Sequence, residues 1–382
     1  MKHHGRGLVE VAVLLLFAGL LFYFPNQSAQ AARGGITLCL DLLIPSLFPF
    51  FVLSSLFIST GLAGVLSRPL TRLMGPLFGV SGAGASALLL GAVGGYPVGA
   101  RTLAQLTTQR TCTKREAQRL SLFCNNCGPA FFIGAAGVGV FGSKEAGFLM
   151  LCANFTGAIL IGLALRLALG RADEPGTARS NVPRRSLASQ FPDCIHSAFS
   201  ASLNVCAYVI FFSVITTLAD CSGLLPACVD MLSSLLPGSH APALCRSLLI
   251  GLVELSTGTT ALSEALSSPA ALPLAAFILG WGGLSVHCQS LPFWQEAGIR
   301  PGPYLAAKLL QGILSAGLTA LGMVLFPLSL PVMAPVPVLT VPSLLGREMA
   351  ALWALAGISF LFSGRKREKR CGNDTRKRYN KK

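Results

Sequence analysis

Long apolar segments follow one another along most of the chain, with short polar stretches between them. About 20 apolar residues are needed for a helix to cross roughly 30 Å of hydrocarbon. Segments of about this length predict full spans at 8–24, 35–58, 118–141, 145–168, 194–219, 270–290, 303–326 and 345–363. The pattern therefore predicts an all-α polytopic membrane protein.

Two further apolar segments are interrupted by residues that break helices. Segment 84–108 breaks at "GGYP", and segment 243–266 breaks around Glu254. Breaks and acids are tolerated at membrane depth only where protein or a water-filled cavity surrounds them. We interpret both segments as re-entrant helical hairpins. The alternative is two more full crossings, which would place the cations between Arg110 and Arg119 on the outer side.

The two interrupted segments correspond to each other. Placing "LLLGAVGGYPVGARTLAQL" over "LLIGLVELSTGTTALSEAL" matches Gly91 with Gly251 at an offset of 160 residues (251 − 91). This predicts two repeats, each with three full spans and one hairpin, and an odd number of crossings inverts the second repeat relative to the first. The predicted divisions are an N-terminal transmembrane helix with an outer loop (1–34), a first repeat (35–170), a cytoplasmic linker (171–190), a second repeat (191–326), and an outer Pro-rich loop followed by a last transmembrane helix and a basic cytoplasmic tail (327–382).

Composition and charge agree with a membrane protein. Hydrophobic residues make up 52% of the 382 residues and charged residues 12%, whereas soluble domains carry about 25% charged residues. The net charge is +15, and ten of the thirty Lys and Arg residues lie in 365–382. This tail predicts an anchor beside anionic lipid headgroups, not nucleic-acid binding. The bias of loop cations places both termini in the cytoplasm.

Other motifs exclude several classes of function. Cys124 and Cys127 form a single CxxC without a second pair, so we predict no metal site. No P-loop, nucleophile motif or HExxH helix is present, so we predict neither an enzyme nor a bound cofactor. Segment 8–24 is either a cleaved signal sequence or an uncleaved first helix, and we favour the helix. The oligomeric state stays open, with a homo-oligomer among the alternatives.

The first hairpin carries residues suited to an anionic substrate. Gly94 and Gly95 allow close backbone approach, and the half-helix after the break directs N–H groups toward an anion. Arg101 offers a bidentate guanidinium, and Tyr96 offers a stacking face. The alternative is that Arg101 extends to the membrane surface and the break is only a hairpin tip.

Further polar residues lie inside predicted spans or in the second hairpin. We predict that Glu254 binds a coupling proton or cation, and the alternative is an ion pair with Arg246 or Lys308. His287 is a second proton-coupling candidate. Lys308 and Gln311 share one helix face, three residues apart. The remaining substrate-binding candidates are Asn125, Asn126, Ser256, Thr257, Gly258 and Lys308.

Three motifs in this order, "GGYPVGA", "NNCGPAFFIGAAG" and "GGLSVHCQ", resemble the YlbJ (SpoVV) family of sporulation integral membrane proteins, which carry the nucleoside-recognition or Gate-type repeat. The resemblance covers roughly 35–326 and departs at Cys127, where we expect Ser. It implies a carrier that moves dipicolinic acid from the mother cell across the outer forespore membrane. The alternatives are a nucleoside or other solute carrier and a non-transporting scaffold of a sporulation complex.

Overall fold

The computed structural model describes residues 2–60, 68–108, 110–172 and 187–326, and all regular structure in these residues is helical. The predicted Pro-rich loop, last transmembrane helix and basic tail lie outside the described residues, as does most of the linker. The α-helices are α1 (Lys2–Tyr23), α2 (Pro25–Leu38), α3 (Ile44–Ser59), α4 (Arg68–Leu73), α5 (Gly84–Gly94), α6 (Val98–Thr108), α7 (Lys114–Cys124), α8 (Lys144–Leu169), α9 (Leu187–Cys221), α10 (Leu224–Ser233), α11 (Ala241–Val253), α12 (Leu255–Ala261), α13 (Ala271–Trp281), α14 (Gly283–Ala297) and α15 (Pro301–Leu325).

Several helices are long and apolar enough to cross a membrane. In the described part of the chain, four such helices are present, or five if a bent pair in the N-terminal region forms one span. The four are Lys144–Leu169, Ala188–Cys221, Ala271–Ala297 and Pro301–Leu325, and the bent pair is Pro25–Leu43 with Leu47–Leu53. The prediction of an all-α polytopic membrane protein is confirmed.

Both interrupted segments fold back on themselves. In the first, α5 and α6 pack together, and a Cβ added at Gly91 would lie 3.3 Å from the Cα of Gly99. In the second, α11 and α12 pack together through Gly251 and Gly258. Each arm has at most 13 residues, about 20 Å at a rise of 1.5 Å per residue. One arm alone is therefore too short to cross the hydrocarbon.

Two of the predicted full spans are divided in the structure. Span 118–141 is helical only to Cys124, continues as four non-helical residues (125–128), and becomes helical again at Pro129, which precedes a π-helix over Ala130–Val138. Span 270–290 is interrupted at Gly282, where a left-handed backbone separates α13 from α14. Pro129 and the glycine pair stop helical hydrogen bonding within otherwise apolar runs. A break at Gly128-Pro129 is expected from the sequence, whereas the break at Gly282 is not, although Ala271–Ala297 is still long and apolar enough to cross a membrane.

Two predicted loop boundaries also differ. Residues 25–34 were assigned to an outer loop, but they form most of α2, since Pro25 starts the helix and Ala and Gln favour it. The linker was predicted to extend to residue 190, but α9 already begins at Leu187.

The described elements occur in the same order in each half of the chain. A helix (α3 or α9) is followed by a shorter helix (α4 or α10), a helical hairpin, an interrupted span and a long helix (α8 or α15). The opposite orientation of the two halves stays a prediction.

The central helices pack closely through small residues. Helix α15 packs against α13 and against α8, while α9 packs against α2 and α3. A Cβ added at Gly280 would lie 2.9 Å from the Cα of Gly312, so α13 and α15 approach each other at this point. Close contact through glycine is typical of helices packed within membranes. This packing brings the middle of α15 next to the interrupted segments.

Candidate functional site

The breaks of the two hairpins meet those of the two interrupted spans in pairs near the middle of the bundle. The tip of the first hairpin contacts the broken span 118–141, where a Cβ at Gly95 would lie 2.8 Å from the N of Gly128. The break of the second hairpin contacts the glycine pair, where a Cβ at Gly283 would lie 3.0 Å from the N of Leu255. Tyr96 connects the two pairs, because its hydroxyl donates to the carbonyl of Gly280 at 3.4 Å.

Lys308 of α15 reaches into the first pair of breaks and is fully buried. Its Nζ donates to the backbone carbonyl of Asn125 at 2.9 Å and to Oε1 of Gln311 at 2.7 Å. It also lies 3.5 Å from Oδ1 of Asn126 and 5.1 Å from the ring centroid of Tyr96. The break frees the Asn125 carbonyl from a helix, and the ammonium satisfies it. The prediction that Lys308 and Gln311 share a helix face is confirmed.

Amide side chains extend this cluster. Gln311 Nε2 donates to Oδ1 of Asn126 at 2.7 Å and to Oδ1 of Asn154 at 3.0 Å. Asn125 Nδ2 donates to the hydroxyl of Tyr304 at 3.1 Å, and its Oδ1 accepts from the backbone N of Ala100 at 3.2 Å. Helices α6, α7, α8 and α15 are therefore joined by one buried polar network. We call this network of Asn125, Asn126, Asn154, Lys308 and Gln311 the lysine cluster.

The buried amine of Lys308 is surrounded by neutral groups. Among the described residues, no carboxylate pairs with Lys308, whereas other cations do form ion pairs, such as Arg246 with Asp220. The ligands of its ammonium are neutral oxygens. A buried charge without an opposite charge is costly, and in membrane proteins such residues mark substrate or ion pathways.

A small cavity lies beside the hairpin breaks. Its walls come mainly from apolar residues of α3, α9 and the π-helix. Tyr96, Glu254 and Gln289 are the large polar side chains that line it, and the cavity volume is about 40 Å³. Since one water needs roughly 10–15 Å³ by this measure, the cavity holds about three waters. In this conformation the cavity is too small for an organic solute.

The second hairpin contributes Glu254 through the start of α12. Glu254 is 1% exposed, and its Oε2 accepts from the backbone N of Thr257 at 2.7 Å and from its hydroxyl at 2.9 Å. The alternative of an ion pair with Arg246 or Lys308 is not observed, because Arg246 pairs instead with Asp220 at 2.8 Å. The carboxylate caps its own half-helix and lines the cavity.

The other predicted residues occupy different positions. Arg101 is exposed and donates to the hydroxyl of Ser197 at 3.3 Å, so it does not join the lysine cluster. Ser256 is buried within α12, and Gly258 packs against Gly251 inside the hairpin. His287 Nδ1 lies 3.4 Å from the hydroxyl of Tyr304. Binding roles for these residues stay predictions.

The sequence analysis did not name two members of the site. Asn154 lies in the middle of α8 and Tyr304 in the first turn of α15. Both are buried. A single amide in an otherwise apolar span was the available signal for Asn154, since polar residues in spans are costly. Tyr304 gave no signal, because tyrosines near span ends are common as interface anchors.

Comparison with known proteins defines the family. The Gate family, described as "Nucleoside recognition", matches residues 41–144. A "Sporulation integral membrane protein YlbJ" of Bacillus subtilis (strain 168) is 31% identical over 337 residues, covering 81% of each chain. The chain belongs to the YlbJ family of sporulation integral membrane proteins. No solved structure matches it. The Gate match includes the first hairpin and the Asn125–Asn126 break, so part of the lysine cluster belongs to the region that defines the Gate family.

Proposed function

We propose that this YlbJ-family protein is a secondary membrane carrier for a small organic anion. The observation that carries the proposal is Lys308, a buried cation that lies between two helix breaks and has no carboxylate partner among the described residues. Paired interrupted helices are typical of transporter binding sites near the bilayer midplane. A scaffold protein would have no need for an uncompensated charge at this depth.

The position of Tyr96 supports an aromatic substrate. Its ring lines the cavity and also lies near the ammonium of Lys308. A planar aromatic anion that stacks on Tyr96 gains ring contact and attraction to the lysine charge. Because the cavity is now only about 40 Å³, binding requires the hairpin tips to move apart. The glycine contacts between the breaks are where such motion would occur.

Dipicolinate is the substrate we propose. It is a flat aromatic dianion, which suits Tyr96 and Lys308, and the resemblance to the YlbJ family supports a role in sporulation. The proposed location is the mother-cell-derived outer forespore membrane, with both termini in the cytoplasm. Two inverted repeats would then alternate access to the two sides.

A nucleoside carrier is the second candidate, and the description of the Gate family favours it. Nucleosides are neutral and gain little from an uncompensated lysine, whereas an anion gains directly. The charge of Lys308 therefore favours the anion.

Transport by the purified full chain in liposomes tests the proposal. Labelled dipicolinate and labelled uridine are offered separately, with and without ion gradients. We expect saturable uptake of dipicolinate that unlabelled dipicolinate inhibits and uridine does not. Uptake of uridine alone would favour the nucleoside carrier, and uptake of neither substrate under any gradient would contradict the carrier function.

A further inference from the structure

The small cavity and the lysine cluster are chemically different places. Lys308 is not among the residues that line the cavity, although Tyr96 belongs to the cavity wall and also contacts Lys308. The cavity instead contains the carboxylate of Glu254 and the amide of Gln289, surrounded by apolar side chains and glycine backbone. In the present closed conformation, its chemistry and its size therefore suit a ligand other than the anion.

Glu254 is a buried carboxyl group without a cationic side-chain partner among the described residues. The ion pairs given for the described part of the chain do not include it. Its hydrogen bonds come from the backbone and hydroxyl of Thr257, which favour the ionised carboxylate but do not cancel its charge. A buried carboxylate in apolar surroundings is costly unless a cation or a proton accompanies it.

Gln289 supplies a second, independent sign of a ligand. It is 4% exposed, lines the cavity from α14, and its Oε1 has no hydrogen-bond donor in the described structure. Buried polar atoms are nearly always satisfied, so an unpartnered amide oxygen on a residue that lines the same cavity as Glu254 indicates a missing donor or cation. Carboxylate and amide oxygens are the ligands that hard cations prefer.

The first hairpin adds further negative potential. Helix α5 ends at Gly94, and Val93, Gly94 and Gly95 all line the cavity. The last carbonyls of a helix carry a partial negative charge and lack intrahelical donors. In transporters, such half-helix ends coordinate cations.

We propose that this cavity binds one monovalent metal cation, namely sodium. Glu254 and Gln289 are its side-chain ligands, and the carboxyl end of α5 stabilises the charge. One carboxylate balances one positive charge, whereas a divalent ion would leave an excess charge in a low-dielectric interior. A volume of about 40 Å³ admits an ion and a water or two, but no organic solute.

The site rests on the proposed function and extends it, because a cation bound beside the hairpin tips would couple anion uptake to the sodium gradient across the membrane. The binding itself does not depend on transport. It is measured with the purified full chain in detergent, so failure of dipicolinate uptake in liposomes leaves the cation result unchanged, and the reverse also holds.

The experiment compares thermal unfolding in sodium chloride with unfolding in N-methyl-D-glucamine chloride at equal ionic strength and constant pH. A ligand that binds only the folded state raises the Tm as its concentration increases. We expect a saturable, sodium-specific rise in Tm for the wild type, and binding of about one ²²Na⁺ ion per chain by equilibrium dialysis.

Variants locate the ion. Glu254→Gln keeps an oxygen that accepts from Thr257 but removes the charge, and Gln289→Met removes the amide at similar size. We expect Glu254→Gln to abolish ²²Na⁺ binding and Gln289→Met to weaken it at least tenfold. Glu145→Gln is the matched control, because its carboxylate is 58% exposed, and it should bind like the wild type.

Three results would overturn the proposal. The first is a Tm that rises equally in both salts. The second is ²²Na⁺ binding that persists in Glu254→Gln, which would place the ion elsewhere. The third is stabilisation that depends on acid pH and not on sodium, which would make Glu254 a proton site.

Discussion

Removing the charge of Lys308 should weaken anion transport without unfolding the protein. The informative variant is Lys308→Gln, because a neutral amide retains a donor for the oxygens that now accept from Nζ. Those oxygens are the carbonyl of Asn125 at 2.9 Å and Oε1 of Gln311 at 2.7 Å. Hydrogen bonds to charged groups contribute about 1.5–3 kcal/mol and neutral ones about 1 kcal/mol. We therefore expect a loss of about 1–4 kcal/mol in unfolding free energy.

The effect on anion binding follows from distance. An anion stacked on the face of Tyr96 away from Lys308 lies roughly 3.5 Å from the ring. The ring centroid is 5.1 Å from Nζ of Lys308, so the anion and the ammonium are about 9 Å apart. At an effective dielectric constant of about 20, two unit charges at this separation attract by about 2 kcal/mol. We expect the KM for dipicolinate uptake to rise roughly 30-fold.

A second variant separates charge from hydrogen bonding. Gln311→Glu places a carboxylate beside the ammonium, so the lysine remains but the cluster becomes neutral. It should raise the KM for dipicolinate by a similar factor in the liposome assay, while the exposed Lys114→Gln serves as a control without effect. A folded Lys308→Gln protein with the wild-type KM would refute the electrostatic argument.

Three other predictions concern the scaffold. The bidentate pair of Arg246 with Asp220, at 2.8 and 2.9 Å, is partly exposed. Arg246→Met should therefore lower the unfolding free energy by only about 1 kcal/mol, as measured by a double-mutant cycle with Asp220→Asn. Gly283→Ala adds a Cβ at φ +76° against the neighbouring break, and it should lower the Tm by several degrees in a thermal melt. In a background without the exposed native cysteines, Lys114→Cys should react with an impermeant maleimide only from the cytoplasmic side. Cys112 should stay unlabelled, because burial raises the pKa of its thiol to about 12. Labelling of Lys114→Cys from outside would contradict the inverted repeats.

The sequence predicted the continuous spans well. Spans 145–168 and 303–326 differ from α8 and α15 by at most two residues at either end, because an unbroken apolar run has only one low-energy form in a bilayer. The breaks at 125–128 and at Gly282 were harder to assign as helix ends. Glycine is common within transmembrane helices, so its presence does not tell a tolerated residue from a real interruption.

The site was predicted only where local spacing decided it. Lys308 and Gln311 are three residues apart, and helical geometry alone puts them on one face. Their partners Asn125 and Asn126 lie more than 180 residues away in the sequence, and that contact depends on how the helices pack. Arg101 shows the opposite case, since the orientation of a half-helix around its axis directs its side chain to Ser197, and the sequence does not specify that rotation.

The two proposed sites should cooperate, because Tyr96 belongs to both. Glu254 and Tyr96 line the same cavity, so an ionised Glu254 repels an anion that approaches the ring, and a bound cation removes this repulsion. Sodium should therefore lower the KM for dipicolinate, and by linkage dipicolinate should tighten ²²Na⁺ binding by the same factor, on the order of 5- to 150-fold. Glu254→Gln should take up dipicolinate with a KM that no longer responds to sodium. A wild-type KM that is equal with and without sodium would show that the cavity and the lysine cluster act independently.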